Sequence, residues 1–413
     1  MKKSYAIVFF LLTGVFLLQS VQAQEEAFRK HIYYLASDEL GGRFPGTAGD
    51  TLAARYIRET LALYGYKPVI DDGLQSFSYA LGLKQDSCAI RDTIWTFNVA
   101  MMLEGSDPEL KEESLVLGAH YDHLGRATFG GSRMPDANAI HYGADDNASG
   151  VAMMLEIARQ LVGKNPQRTL IVAAFGAEEQ GIIGSKYFVN HFPDTLPKPV
   201  LMVNLDMVGR LNEKKRLEIN GTGTFTGAED LLNATPNPDS LQITMIKGGF
   251  GPSDHTAFYG NNIPVLFFTT GVHYDYHTPE DNAEKINYSG MKKVYDYILN
   301  VVEPLINTPF VPEYQKIGNE SSAQSPKFKV TFGIIPDFNN VYEGDGMRAD
   351  FVTAGKPAEI AGMKNGDIIL QIGDKQVHNI QDYMERLSEL QEGEKVYVTI
   401  KRETEILTLT IDL

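Results

Sequence analysis

The chain has 413 residues, 43% hydrophobic and 22% charged, a balance that predicts two or more folded units and excludes wholesale disorder or a multi-span membrane protein. Thirty-seven Lys and Arg stand against 53 Asp and Glu, a formal net charge of −16, which argues against a nucleic-acid partner. The single cysteine, Cys88, permits neither an intramolecular disulfide nor a thiolate metal cluster. Any metal must therefore be held by imidazole and carboxylate.

Lys2 and Lys3 precede the apolar run Ala6 to Leu18, and Val21-Gln22-Ala23 offers a small-x-small cleavage pattern. This predicts a secretory signal peptide over residues 1–23. The run is shorter than the ~20 residues that span a bilayer, so a membrane anchor fits less well. The expectation is an exported chain, periplasmic or secreted, with no membrane span once mature.

Residues 24–306 alternate apolar, β-rich runs with helical patterns. Ser114–His120, Thr169–Phe175, Pro199–Met207 and Ile263–Thr269 read as buried strands, and Ser149–Val162, Gly184–His191 and Tyr288–Ile306 as helices. Continuous apolar strands separated by helices predict an α/β domain, a mostly parallel sheet covered on both faces. Residues 307–325, rich in Pro, Ser and Gln, read as a linker. Residues 326–413 form a second, β-rich unit with strands at Lys327–Phe332, Gly366–Ile372, Lys395–Lys401 and Ile406–Leu413 and a helix near Ile380–Glu392.

Five motifs sit at strand ends or helix starts of the first domain. After the first strand comes Ala119-His120-Tyr121-Asp122-His123, in which His120 can present one ring nitrogen to a metal while Asp122 binds the other. The run Gly143-Ala144-Asp145-Asp146-Asn147 precedes a helix; one acid would suffice as a cap, and two favour a carboxylate reaching a metal. Glu178 and Glu179 are adjacent carboxylates that repel unless a cation or a raised pKa relieves them, so one can bind metal while the other serves as a general base. Asp206 is the charged residue in an apolar strand, where an unpaired carboxylate is costly. Tyr276-His277-Thr278-Pro279-Glu280-Asp281-Asn282 follows the last strand, and Ser253-Asp254-His255 opens a short helix upstream. Oxygen and nitrogen donors without sulfur suit zinc and related ions, and the carboxyl ends of parallel strands are where open α/β sheets bind ligands.

These motifs, in this order, resemble the di-zinc exopeptidases of metallopeptidase family twenty-eight, over roughly residues 25–306. The resemblance implies a zinc exopeptidase/phosphorylase-hydrolase-like fold, two zinc ions, and peptide substrates cleaved from the amino terminus through a metal-bridging water. It further implies that His120 and Asp206 bind one zinc, that Glu179 and His277 bind the other, and that Asp145 bridges them. Glu178 is then the general base, Asp122 orients His120, and Asp254 and His255 shape the pocket. Residues 127–142 form a loop that could lid the cleft. Two alternatives remain: a single-zinc transferase like the glutaminyl cyclases, in which the first His position is replaced, and a non-catalytic peptide-binding scaffold. The C-terminal unit resembles a PDZ domain, on the stretch from Pro357 to Ile369 and on Phe332-Gly333-Ile334-Ile335, which stands where that family binds a peptide's C-terminal carboxylate.

Overall fold

The computed structural model describes residues 22–82, 91–128, 131–134, 138–317, 330–336, 344–353 and 355–413. Residues 1–21 of the expected signal peptide, Cys88 and residues 318–325 of the expected linker lie outside this set. The chain divides into two compact units whose main boundary follows Ile317.

The first unit opens with helices at residues 22–35 (α1) and Ala48–Leu63 (α2), then strands Lys67–Pro68 (β1), Leu74–Gly82 (β2), Arg91–Leu103 (β3) and Glu113–His120 (β4). Next come Gly150–Val162 (α3), Thr169–Phe175 (β5), Ile183–Asn190 (α4), Lys198–Leu205 (β6), Arg216–Asn220 (β7) and Ala228–Ala234 (α5). Gln242–Ile246 (β8), His255–Tyr259 (α6), Val265–Thr269 (β9) and Tyr288–Asn307 (α7) complete it. One sheet runs in the order β1-β3-β5-β4-β6-β9-β7-β8, with β2 paired to β3.

The centre of this sheet is parallel: β4 lies between β5 and β6, and β6 pairs with β9. Every residue of β5 is buried, as a run of Leu, Ile, Val, Ala and Phe requires when helices cover both faces. The flanks are antiparallel, where β3 joins β5 and β7 joins β9, so the sheet is mixed rather than parallel throughout. The β2–β3 hairpin, paired from Leu74↔Val99 to Gly82↔Arg91, was not anticipated. Its signal is the alternation of buried Gln75 and Phe77 with exposed Ser76 and Ser78. On one face of the sheet α3 and α7 pack through Val151, Leu155, Val301 and Leu305; on the other, Phe175, Phe188 of α4 and Phe258 of α6 form a ring cluster.

A buried charge ties the amino-terminal helix to this core. Glu156 of α3 takes hydrogen bonds from the Gln24 amide at 2.9 Å and Arg159 Nη2 at 2.7 Å, and it lies 3.2 Å from His31 Nε2. Burial opposes its ionisation, yet His31, Arg159 and Gln24 hold its pKa down to about 2. A depressed carboxyl pKa stabilises the fold above the unfolded value of 4.5, and that stability is lost as pH falls towards about 2. The contribution is on the order of 3 kcal/mol. We therefore expect the gap in Tm between the parent chain and Glu156→Gln to shrink steadily from pH 5 to pH 2, measured by calorimetry.

The first part of the expected linker packs onto the first unit. Arg168 donates to Phe310 O, Tyr314 bridges Phe225, and Gln315 donates to Thr226 Oγ1 at 2.8 Å. No helix among the described residues is long and apolar enough to cross a membrane.

The second unit contains Ile334–Pro336 (β10), Met347–Val352 (β11), Pro357–Ile360 (α8), Ile368–Ile372 (β12), Lys375–Gln376 (β13), Ile380–Glu389 (α9), Lys395–Arg402 (β14) and Glu405–Asp412 (β15). Its antiparallel sheet runs β10-β11-β12-β14-β15, with β13 on β12. Phe332, Met347, Ile369, Tyr383, Leu387 and Val398 fill its core. Where the sequence predicted a strand ending at Phe332, residues 330–333 are non-repetitive and the strand starts at Ile334.

Candidate metal centre at the carboxyl ends of the parallel strands

Because β4, β5 and β6 run parallel, their carboxyl ends share one edge of the sheet, and the motifs converge there. His120 is the last residue of β4, Asp206 follows β6, and Glu178 and Glu179 lie just past β5. His120 Nε2 is 3.3 Å from Asp146 Oδ1 and 3.4 Å from Asp206 Oδ1. His277 Nε2 lies 3.1 Å from Asp146 Oδ2 and 3.1 Å from Glu179 Oε2. One carboxylate, Asp146, thus turns each of its oxygens towards a different imidazole–carboxylate pair.

That central position was expected of Asp145. Its Oδ1 instead accepts the Gly209 N–H at 2.7 Å. The Asp145 and Asp146 amides both donate to the Asp281 carboxylate, at 3.0–3.1 Å. The backbone at Asp146 is non-helical (φ −107°, ψ 88°), and neighbours in such an extended stretch project to opposite sides. Asp281 of the fifth motif therefore anchors the second motif's backbone, Asp145 faces Gly209, and Asp146 faces the imidazoles.

Asp122 also acts differently from the expectation. His120 Nδ1 is 3.2 Å from the Asp122 main-chain oxygen but 3.7 Å from its carboxylate. The carboxylate is engaged elsewhere, accepting the Glu178 and Glu179 amides at 3.0 and 3.3 Å. Asp122 thus orients the ring through its backbone and fixes the turn that carries both glutamates. Ser253 supplies a contact the sequence reading missed, donating to Asp206 Oδ2 at 2.7 Å while accepting from Asn204 Nδ2 at 2.7 Å. His255 stacks on Phe267 with centroids 4.5 Å apart, and burial pushes its pKa down to about 3. A neutral packed ring suits the pocket-shaping expectation better than a ligand role.

Two further residues escaped the motif reading. Arg43 is fully buried and donates to four carbonyl oxygens, those of Leu35, Tyr121, Tyr142 and Gly143, at 2.6–2.9 Å. It pins together the loops that carry the first and second motifs. Nothing in the local pattern Gly41-Gly42-Arg43 announces this, since its partners are backbone atoms distant in sequence. His123 is also fully buried, with Nδ1 2.8 Å from Glu179 Oε1. From the loop expected to lid the cleft, Gly131 O lies 2.9 Å from His277 Nδ1.

The electrostatics of the cluster favour added positive charge. Burial disfavours the charged form of Glu178, and Asp254, Glu179 and Asp206 push its pKa further up against the pull of His120, well above the usual carboxylate range. Burial likewise raises Asp206, and raises Asp254 to about 7. Burial opposes charge on His120 and His277 too, yet the surrounding carboxylates hold both pKa values well above the ordinary imidazole range. Both stay raised because each ring faces two or more carboxylates.

The donor set fits divalent cations. Asp206 Oδ1 and His277 Nε2 are buried without a hydrogen bond, although carboxylate or ring atoms lie within 3.4 Å of each. Atoms aimed at a common point behave this way, and donors about 2.0–2.2 Å from one tetrahedral ion sit roughly 3.3 Å apart. The two groups His120–Asp146–Asp206 and His123–Asp146–Glu179 each bring candidate donor atoms within 4.8 Å of one another.

Residues 98–302 match peptidase family M28, and residues 338–413 match the PDZ domain. The chain carries an M28 peptidase domain followed by a PDZ domain. Aminopeptidase YwaD of Bacillus subtilis is 34% identical over 175 residues, covering 39% of this chain and 37% of that protein. The chain thus spans well under two thirds of this relative's length. An aminopeptidase from Aneurinibacillus sp. strain AM-1 superposes with a TM-score of 0.56 at 18% identity, over 71% of this chain and 96% of that one. A glutaminyl cyclase from Porphyromonas gingivalis superposes with a TM-score of 0.52 at 18% identity, over 68% and 98%. At such identities the likeness is one of fold, and the fold is common to both kinds of neighbour. The M28 segment contains His120, His123, Asp146, Glu178, Glu179, Asp206 and His277.

In the second unit, the expected carboxylate loop lies just upstream of the PDZ match. Phe332 is buried and packs edge-on against Tyr383 of α9 at 6.0 Å. Gly333 has φ +73°, donates to Thr331 Oγ1 at 2.9 Å and accepts from Thr353 N at 2.8 Å. Ile334 and Ile335 pair with Val352 and Phe351 along one edge of β10; among the described residues no strand pairs with its other edge.

Proposed function

We propose that the chain is an exported zinc-dependent aminopeptidase. The observation that carries this reading is the Asp146 carboxylate, whose Oδ1 faces His120 and whose Oδ2 faces His277, in a cluster where Glu178 feels the charges of His120, Glu179 and Asp206. His120, Asp206 and Asp146 Oδ1 would hold one zinc, and His277, Glu179 and Asp146 Oδ2 the other. When bound, two zinc ions polarise a scissile carbonyl and lower the pKa of water towards ~7.

The chain's own residues do the rest. Glu178 accepts the proton that water loses as its oxygen attacks the carbonyl carbon, then gives that proton to the amine nitrogen as the C–N bond breaks. Without cations, burial and the carboxylates of Asp254, Glu179 and Asp206 favour its protonated form, and bound cations would oppose that shift and leave the carboxylate free to take a proton. Asp122 holds the Glu178 and Glu179 amides, so base and ligand keep their separate directions. The surplus of buried carboxylates draws a substrate's terminal ammonium into the cleft. The first group, His120 with Asp206, supports two ions rather than the one of a glutaminyl cyclase-like transferase.

Export rests on the charged start and short apolar run of residues 1–23, and sequencing of the mature protein should begin at Gln24. The PDZ unit would take extended peptides along the open edge of β10, with a terminal carboxylate at Phe332–Ile335. The test of the main reading is a panel of N-terminal aminoacyl reporters with and without chelator. Hydrolysis that the chelator abolishes is the expected result, and none with any reporter would overturn the reading.

A further inference from the structure

The sequence motifs assign the second ion Glu179 and His277, the structure adds Asp146, and a further side chain reaches the same place. His123 lies three residues beyond His120 and its side chain is fully buried. Its Nδ1 is 2.8 Å from Glu179 Oε1 and 3.7 Å from Asp146 Oδ2. Its ring meets that of His277 edge-on, with centroids 5.7 Å apart. We propose that His123 is a positioning residue for the second cation: its Nδ1–H donates to Glu179 Oε1, leaving Oε2 as the single oxygen that Glu179 offers the ion. The inference rests on the two-cation reading and deepens it.

Distance separates donation from direct ligation. Two atoms bound to one zinc ion sit roughly 3.3 Å apart, whereas a charge-assisted N–H···O⁻ bond measures ~2.7–2.9 Å. The His123–Glu179 separation falls in the second class. The other Glu179 oxygen, Oε2, lies 3.1 Å from His277 Nε2, the spacing of two donors around one ion. Glu179 is therefore divided: one oxygen is held by His123 and the other faces the metal position.

The surroundings fix the ring where it can do this. A Cβ on Gly143 would come within 2.5 Å of His123 Cγ and 2.6 Å of Cδ2, so the ring lies against a backbone position that only glycine leaves open. The His123 amide donates to Arg43 O at 3.3 Å, which links the ring's placement to the buried arginine. His123 Nε2 is buried and makes no hydrogen bond, as fits the bare nitrogen of the tautomer that carries its proton on Nδ1.

Partners that orient a metal ligand are typically worth ~10–100-fold in metal affinity. The test is calorimetric titration of the chelator-stripped full chain with zinc chloride, comparing the parent, His123→Ala and His123→Asn. Asparagine places an N–H donor where the imidazole Nδ1 stands. Expected is a second binding step weakened about 10–100-fold in H123A with the first step unchanged, and near-parental behaviour in H123N. An unaltered second step in H123A would overturn the inference. So would an equal loss in H123N, which would mark His123 as a direct ligand. Should H123A not fold, as judged by circular dichroism, His123→Leu takes its place. A parent chain that binds a single zinc ion would overturn the two-cation reading itself, whereas a two-step parent with an unaltered variant overturns only the role of His123.

Discussion

Glu178→Gln should bind two zinc ions as tightly as the parent, melt at the parental temperature, and hydrolyse aminoacyl reporters about 10²–10⁴-fold more slowly. The amide keeps the shape of the carboxylate but cannot accept a proton, so the loss should fall on kcat with little change in KM. The parent's own pH profile carries the same information. Burial and the neighbouring carboxylates Asp254, Glu179 and Asp206 raise the Glu178 pKa, and a base must be ionised to work. Activity should therefore fall as pH drops and Glu178 takes up a proton, and this acid limb should be absent from the residual activity of the variant. Stopped-time assays across pH, paired with zinc analysis, check both points. Parental turnover in E178Q would remove Glu178 from the base role.

The second large effect concerns the adjacent aspartates. Asp146→Ala removes the one carboxylate whose oxygens face both groups, so both zinc positions should weaken and the purified chain should lose most of its metal and all measurable hydrolysis. Asp145→Asn keeps an oxygen able to accept the Gly209 amide and should retain both ions. Metal analysis of the two variants side by side checks this. The opposite pattern, with zinc lost in D145N and kept in D146A, would restore the assignment first made from the sequence.

That misplacement shows what the amino-acid sequence could and could not convey. Strands such as Thr169–Phe175 were legible because a run buried on both faces has no polar alternative, and the structure places that strand at the predicted bounds. The convergence of His120, Glu179, Asp206 and His277 follows from parallel strands sharing one carboxyl edge. Choosing between Asp145 and Asp146 required the backbone angles of a single non-helical turn, which composition and periodicity do not encode. Arg43 was invisible for a related reason: all its partners are main-chain carbonyls, so no side-chain pattern points to it. His123 stood in plain view within the first motif, but its importance depends on Glu179, 56 residues away. The hairpin of β2 and β3 did carry a two-residue alternation at Gln75 to Ser78, although no strand was expected there. The second unit's strands at 395–402 and 405–412 were legible from their alternation, and burial at Val396, Val398 and Ile400 follows it.

The most direct test of the account is to strip the full chain of metal and follow hydrolysis of an N-terminal aminoacyl reporter while zinc is returned in measured equivalents. The proposed sharing of Asp146 between two cation positions predicts that activity climbs to its maximum as the second equivalent per chain is added and levels off there. Full activity at one equivalent, or none at any zinc concentration, would contradict the two-cation peptidase described here.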